Sequence, residues 1–192
     1  MIGKKTLIIL GLSFVVFVLT AAGSFAFKPG SLLQVKNLKK CEKCDLTSAD
    51  LSAEDLSEVN LQGANMKGAN LSTTNLSRAN LRNAELAGAK LSNANLTGAN
   101  LNNADLTGAN LIKASLAGAD LSDANLTNAK LTDARLTDAN LTNANLTNAR
   151  MNGASLRGAN LTNTRLTGAR MDNASWLDGT TCKEGSVGEC RQ

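Results

Sequence analysis

The chain has 192 residues, with 20 Lys+Arg against 16 Asp+Glu for a formal net charge of +4, and it contains no His, no Tyr and one Pro. Hydrophobic residues make up 43% but aromatics only 3%, so any core must be aliphatic and finely divided. The missing histidine excludes triad hydrolases and histidine-ligated metal sites, and so modest a charge does not by itself announce a nucleic-acid binder.

Lys4 and Lys5 precede an uncharged apolar run over residues 6–22. Ser24-Phe25-Ala26 then supplies small residues at the −3 and −1 positions of a signal-peptidase site, which would leave Phe27 as the new terminus. Uncleaved, the same run lies at the short end of what can span a bilayer. Residues 1–26 are therefore read as a signal peptide or a membrane anchor, with export expected for the remainder. No Cys lies close behind the run, which argues against a lipid-modified terminus. Residues 27–43 read as a linker and N-terminal cap.

The cysteines are Cys41, Cys44, Cys182 and Cys190, two at each end and none between. An even count in an exported chain reads as disulfides. The C-x-x-C at Cys41 could be a redox motif, but such chemistry needs a helix N-terminus just beyond it to lower a thiol pKa. The segment after Cys44 is DLTSADLSAEDL, which is no helix start.

From Leu46 to Trp176 an apolar residue recurs at every fifth position without a slip, 27 positions holding 23 Leu, 3 Met and the final Trp. Two residues before each stands a small one, Ala in 22 of 27, and the residue between is Asn or Asp in 17. On a helix a five-residue step turns about 140° and scatters the leucines around the cylinder. Extended chain instead puts Ala and Leu on one side and Asn on the other. The remaining two residues must turn, and the second of them is Gly, Asn or Asp in 21 of 27 repeats, as a φ > 0 position requires. Short sides with same-handed corners close into coils, and stacked coils satisfy one another's backbone groups. The period predicts an all-β parallel solenoid filled with Leu and Ala.

Ala94-Asn95-Leu96-Thr97-Gly98 and Ala139-Asn140-Leu141-Thr142-Asn143 carry the A-[DN]-L-x-x pattern, and over residues 44–178 the chain resembles the pentapeptide-repeat proteins. The resemblance implies a right-handed quadrilateral β-helix with four pentapeptides per coil, here nearly seven coils and a rod of about 33 Å at ~4.8 Å per coil. Bridged Cα atoms lie within about 7 Å, so no disulfide can link the ends of such a rod. The expected pairs are Cys41 with Cys44 and Cys182 with Cys190, and a four-cysteine zinc site is forbidden. Cys41 and Cys44 continue the inward phase, which places the start of the coil around residue 39. Glu54, Val59, Thr74 and Thr164 take inward positions usually held by Ala. A buried Glu is costly, so the first coil is expected to be loose or open at Glu54. Trp176 and residues 179–192 read as a cap over the far end.

With 20 residues per coil, one outward column runs Asp50, Asn70, Lys90, Asn110, Lys130, Arg150, Arg170, with Arg135, Arg157 and Arg165 on neighbouring faces. The opposite end carries Asp45, Asp50, Glu54, Asp55 and Glu58. The column Lys90, Lys130, Arg150 and Arg170 is the candidate face for an anionic partner. A second column, Thr107, Thr127, Thr147 and Thr167, suggests a surface or ice-binding array, but Lys67 and Ala87 interrupt it and Arg165 flanks it.

No nucleophile–base pair or metal cluster can be named, so no enzyme, cofactor or metal is expected. The leading expectation is an exported binding or scaffold module, monomeric, with a protein or anionic surface as partner. The resemblance is to members of cyanobacteria and the thylakoid lumen, so a periplasm, a thylakoid lumen or the extracellular space is expected, with membrane attachment only through residues 6–22. Another branch of the same family acts as a DNA mimic on type II topoisomerases. That alternative fits poorly with export, Leu centres and a net positive mature chain, and an exported compartment argues against nucleic acid.

Overall fold

A computed structural model describes Val35 and residues 39–192. The expected signal or anchor segment lies outside the described residues. Each pentapeptide consists of an inward small residue, an outward residue, an inward central residue and a two-residue corner. The second corner residue is left-handed at every corner from Lys43 to Asn173, with φ of 66° at Gly98, 57° at Asn103 and 59° at Asp123. A hydrogen bond closes the corners, as where the Ala104 N–H donates to the Leu101 carbonyl at 3.0 Å, except between Leu51 and Glu54.

Parallel bridges pair each outward residue with the one 20 positions later, unbroken from Lys40↔Asn60 to Ser155↔Ser175. Four pentapeptides therefore complete one coil, and the rod has four faces. Face 1 carries the outward column Asp45 to Arg165, face 2 Asp50 to Arg170, face 3 Asp55 to Ser175 and face 4 Lys40 to Asn160. Two residues in five go into the corner, so each side contributes a single bridge residue rather than an extended strand. The inter-coil bonds repeat on each side. The Asn100 N–H donates to the Ala79 carbonyl at 2.9 Å, the Leu81 N–H to the Asn100 carbonyl at 2.7 Å and the Asn83 N–H to the Asn102 carbonyl at 3.0 Å.

The interior is a continuous column of leucine and alanine, with Leu101 and Leu121 fully buried. Inward threonines fit because their hydroxyls find a carbonyl one coil below: Thr74 Oγ1 donates to Leu51 and Thr164 Oγ1 to Leu141, each at 2.7 Å. Val59 is fully buried in the place of an alanine. Glu54 leaves the bonds to the coil above in place. The Asn75 N–H still donates to the Glu54 carbonyl at 2.9 Å, and the Leu56 N–H to the Asn75 carbonyl at 2.8 Å. The Glu54 side chain stays half-exposed. The corner bond from the Glu54 N–H to the Leu51 carbonyl is absent, so among the described residues the coil is open at this corner alone and keeps its bonds to the coil above.

Each end carries a disulfide. Cys41 and Cys44 flank a corner with Cα atoms 5.3 Å apart, and Cys182 joins Cys190 with Cα atoms 5.0 Å apart. After Trp176 the chain reverses and runs back over the last coil, pairing antiparallel at Ser175↔Thr181 and Arg170↔Val187. This tail covers faces 3 and 2. It leaves Leu161 and Leu166, on faces 4 and 1, only partly buried.

Two consequences are measurable. Thr73 is β-branched yet holds φ at 60°. A left-handed residue with a Cβ costs about 1–2 kcal/mol, least for Asn and most for branched side chains. Thr73→Asn is expected to raise Tm by a few degrees in thermal unfolding. At the other end Asp178 accepts from the Thr180 hydroxyl at 2.7 Å and the Thr180 N–H at 2.9 Å, and these bonds hold its carboxyl below the ordinary value of 3.8. A depressed carboxyl pKa stabilises the fold above the unfolded value, and that contribution disappears as pH falls through the lowered folded value. The protection of the Thr180 amide, its observed exchange relative to the intrinsic rate at the same pH, should fall in that acid window, and Asp178→Asn should remove that fall.

Candidate functional site

The coil register aligns the sequence-predicted column on one face. Successive bridges run Lys90↔Asn110, Asn110↔Lys130, Lys130↔Arg150 and Arg150↔Arg170, so these residues stand one coil apart on face 2. All four cations are exposed. Arg135 stands on face 3 and Arg165 on face 1, both exposed, and Arg157 is exposed at the corner that leaves face 3.

What these cations meet could not be read from charge counts. Among the described residues the ion pairs between side chains are Lys40–Glu42, Lys67–Glu85 and Arg78–Glu58, all in the N-terminal half. Glu85 raises the Lys67 pKa through a hydrogen bond and its charge. From Lys90 to Arg170 no cation pairs with a carboxylate of the described residues. Four carboxylates of that half are held instead by neutral donors, while Asp133 and Asp138 are exposed. Asp105 accepts from the Thr107 hydroxyl at 2.6 Å, and Asp120 from Ser122 at 2.7 Å and from Asn140 at 3.1 Å. Asp123 accepts from Asn143 at 3.1 Å, and Asp172 from Asn152 at 2.9 Å and from the Gly185 N–H at 2.7 Å. Asp105, Asp120, Asp123 and Asp172 are thus occupied, and the bases face solvent.

The threonine column on face 1 is bound up in the same way. Thr107 donates to Asp105 and accepts from Asn125 Nδ2 at 2.8 Å; Thr127 donates to Asn125 and accepts from Asn145; Thr147 donates to Asn145. The relay uses each of these hydroxyl protons within the rod, so Thr107, Thr127 and Thr147 offer acceptors but no free donors to a crystal surface. Cys41, Cys44, Cys182 and Cys190 are all in disulfides.

The family described as pentapeptide repeats matches in eight copies, over residues 40–78, 74–111, 104–143 and 139–175, and the chain belongs to that family. Among solved structures it is similar to HetL, a pentapeptide repeat protein involved in heterocyst differentiation regulation from the cyanobacterium Nostoc, at 27% identity over 79% of this chain and 98% of that one, TM-score 0.28. It is also similar to a pentapeptide repeat protein of the Arabidopsis thaliana thylakoid lumen, at 34% identity over 62% of this chain and 65% of that one, TM-score 0.32. QnrB1, a plasmid-mediated fluoroquinolone resistance protein, aligns at 22% identity over 70% of this chain and 68% of that one, TM-score 0.44. No curated protein matches. The assignment rests on the repeat match.

The relay yields a direct test. Thr127→Val keeps the shape but removes a hydroxyl that donates at 2.7 Å and accepts at 3.0 Å. At about 1 kcal/mol per hydrogen bond the variant should lose about 1–2 kcal/mol, seen as a lower midpoint in urea. A Thr127→Val rod as stable as the parent would mean that the relay contributes nothing.

Proposed function

We propose that this pentapeptide repeat protein is an exported, non-enzymatic binding module whose face 2 docks an anionic surface. The observation that carries the reading is the asymmetry of pairing. Lys130, Arg150 and Arg170 stand in adjacent coils without ionic partners among the described residues, while Asp105, Asp120, Asp123 and Asp172 are engaged by Asn, Ser, Thr and backbone N–H groups. Like charges about 4.8 Å apart repel, modestly because water screens them, and an anionic surface laid along the column relieves that repulsion. The side chains project from a stiff scaffold, so docking orders no loop and that cost is avoided. Export rests on Lys4, Lys5 and the apolar run over residues 6–22. A DNA mimic would need a ladder of carboxylates where this face carries cations.

An acidic protein patch or anionic lipid headgroups supply the matching chemistry. The test replaces Lys130, Arg150 and Arg170 together with Asn, which already occupies the outward position at Asn70 and Asn110 of the same column. The fold should survive. Affinity for the protein captured from the native exported fraction, or for vesicles of anionic lipid, should fall at least about tenfold at low salt, and the parent's advantage should vanish as salt shortens the Debye length. Equal binding by parent and variant across the salt series would show that the column is only solvated surface.

A further inference from the structure

The cations of face 2 form a line rather than a patch. The bridges set Arg170 one coil from Arg150, two from Lys130 and four from Lys90, with the uncharged Asn110 in the coil between Lys90 and Lys130. At about 4.8 Å per coil, the charges stand at roughly 0, 4.8, 9.6 and 19.2 Å along a straight axis.

The two margins of this line differ. On the side of face 1, the residues two places before the cations are Gly88, Asn128, Asn148 and Gly168, none of them charged. Asn128 and Asn148 are exposed and carry amide donors next to Lys130 and Arg150. On the side of face 3 stand Asp133, exposed at the corner beyond Lys130, and Asp172, which accepts from Asn152 and the Gly185 N–H. The basic strip is thus one residue wide, with carboxylates along one margin and neutral amides and glycines along the other. A planar leaflet of anionic lipid covers the whole width of a face and would lie against Asp133 as well as the cations. A narrow row of carboxylates avoids it.

The backbone of face 2 decides what can carry that row. The Lys130 N–H donates to the Ala109 carbonyl at 2.9 Å and the Leu131 N–H to the Arg150 carbonyl at 2.6 Å, so these groups are spent between coils. An extended strand laid along the axis finds no edge to join, and its own N–H and carbonyl groups would stay unpaired against the rod. A helix makes its backbone bonds within itself and presents only side chains. Its spacing fits as well. Residues i, i+3, i+7 and i+14 share one helix face. They rise about 0, 4.5, 10.5 and 21 Å, within about 2 Å of the four cations.

We propose that face 2 seats an acidic amphipathic helix of a partner protein, lying along the rod with Asp or Glu at i, i+3, i+7 and i+14 over Arg170, Arg150, Lys130 and Lys90. The proposal rests on the anionic-face reading and names the partner which that face takes. Asn110 meets the helix near i+10 and i+11, where no acid is needed. Asn128 and Asn148 donate to the acids over Lys130 and Arg150. Asp133 and Asp172 keep acids off the side of the helix that faces them, so the acidic stripe is narrow and its register is fixed by charge.

The test uses the full oxidised chain in a mild detergent at constant concentration, because residues 6–22 are apolar. The probes are synthetic peptides of about 21 residues, long enough to form a helix, with the same Glu content in an Ala and Gln background. One carries Glu at i, i+3, i+7 and i+14, one carries the same Glu dispersed around the helix, and one keeps the stripe with a Pro at its centre. At low salt the striped peptide should bind at least about tenfold tighter than either control and gain helical circular dichroism as it binds. Replacing Lys130, Arg150 and Arg170 together with Asn should weaken it at least about tenfold. A variant that binds the striped peptide as the parent does overturns the helix and the anionic face together. Equal binding of striped and dispersed peptides, striped binding that survives the Pro, or a parent that binds none of the peptides overturns the helix alone. So does displacement of the striped peptide by micelles carrying anionic lipid as effective, at equal charge, as displacement by the unlabelled peptide, which would make lipid the ligand of the face.

Discussion

The left-handed corner residue is the constraint on which everything else rests. A backbone that must reach φ near 60° at every fifth position can run straight for only three residues before it turns. Three residues suffice to bury two side chains and expose one. They do not suffice to build a strand, so stability comes from stacking, with each coil completing the hydrogen bonds of the one before it. The corner also explains the composition. Gly, Asn and Asp reach this conformation at little cost, while Ser48, Ala53, Glu58, Thr73, Arg78 and Lys113 show that other residues can be forced into it.

The inward and outward positions answer to different demands. An inward side chain must fit between two coils, and the interior accepts Leu, Met, Ala, Val and Thr but little else. Even Thr74 and Thr164 are admitted only because a carbonyl below accepts their hydroxyls. The outward residue contributes its backbone to the bridge whatever its side chain is. Lys130↔Arg150 and Asn75↔Asn95 are the same bridge to the fold. Asn and Asp add a bond from their side-chain oxygen to the N–H two residues on, as Asn125 does to Thr127 at 3.2 Å, but its loss at Lys130 or Arg150 leaves the coil intact. The outward column is therefore where sequence can vary for the sake of a partner.

This division also explains what could be read in advance. The five-residue period was legible without error because 27 consecutive positions obey it, and it led directly to the Leu and Ala interior. The basic column was legible only once the coil was taken as 20 residues, since Lys130, Arg150 and Arg170 are far from one another along the chain. Glu54 was legible in part, since its inward phase marked the corner that lacks its closing bond. The backbone bonds to the coil above survive because they do not depend on the side chain. The cap at the far end was legible as a cap, but its restriction to faces 3 and 2 was not. Past Trp176 the phase is lost, and the tail pairs antiparallel in a register set by a reversal and a disulfide loop rather than by any repeat. The pairing of carboxylates with neutral donors was hidden for a related reason, because it depends on which residues stand one coil apart and on side-chain reach.

The 20-residue register makes the rod an object with two separately adjustable dimensions. Adding or removing a whole coil changes its length and leaves every face aligned. Adding a single pentapeptide is equally silent to the interior, since one more Ala and one more Leu enter the column, yet it rotates everything downstream by a quarter turn. Inserted just before Lys130, it would carry Lys130, Arg150 and Arg170 from face 2 to face 3, above Asn75 and Asn95, and Lys90 would be left behind. A lineage of such chains can therefore dial the azimuth of one end against the other in discrete clicks, without disturbing the packing that keeps either end folded.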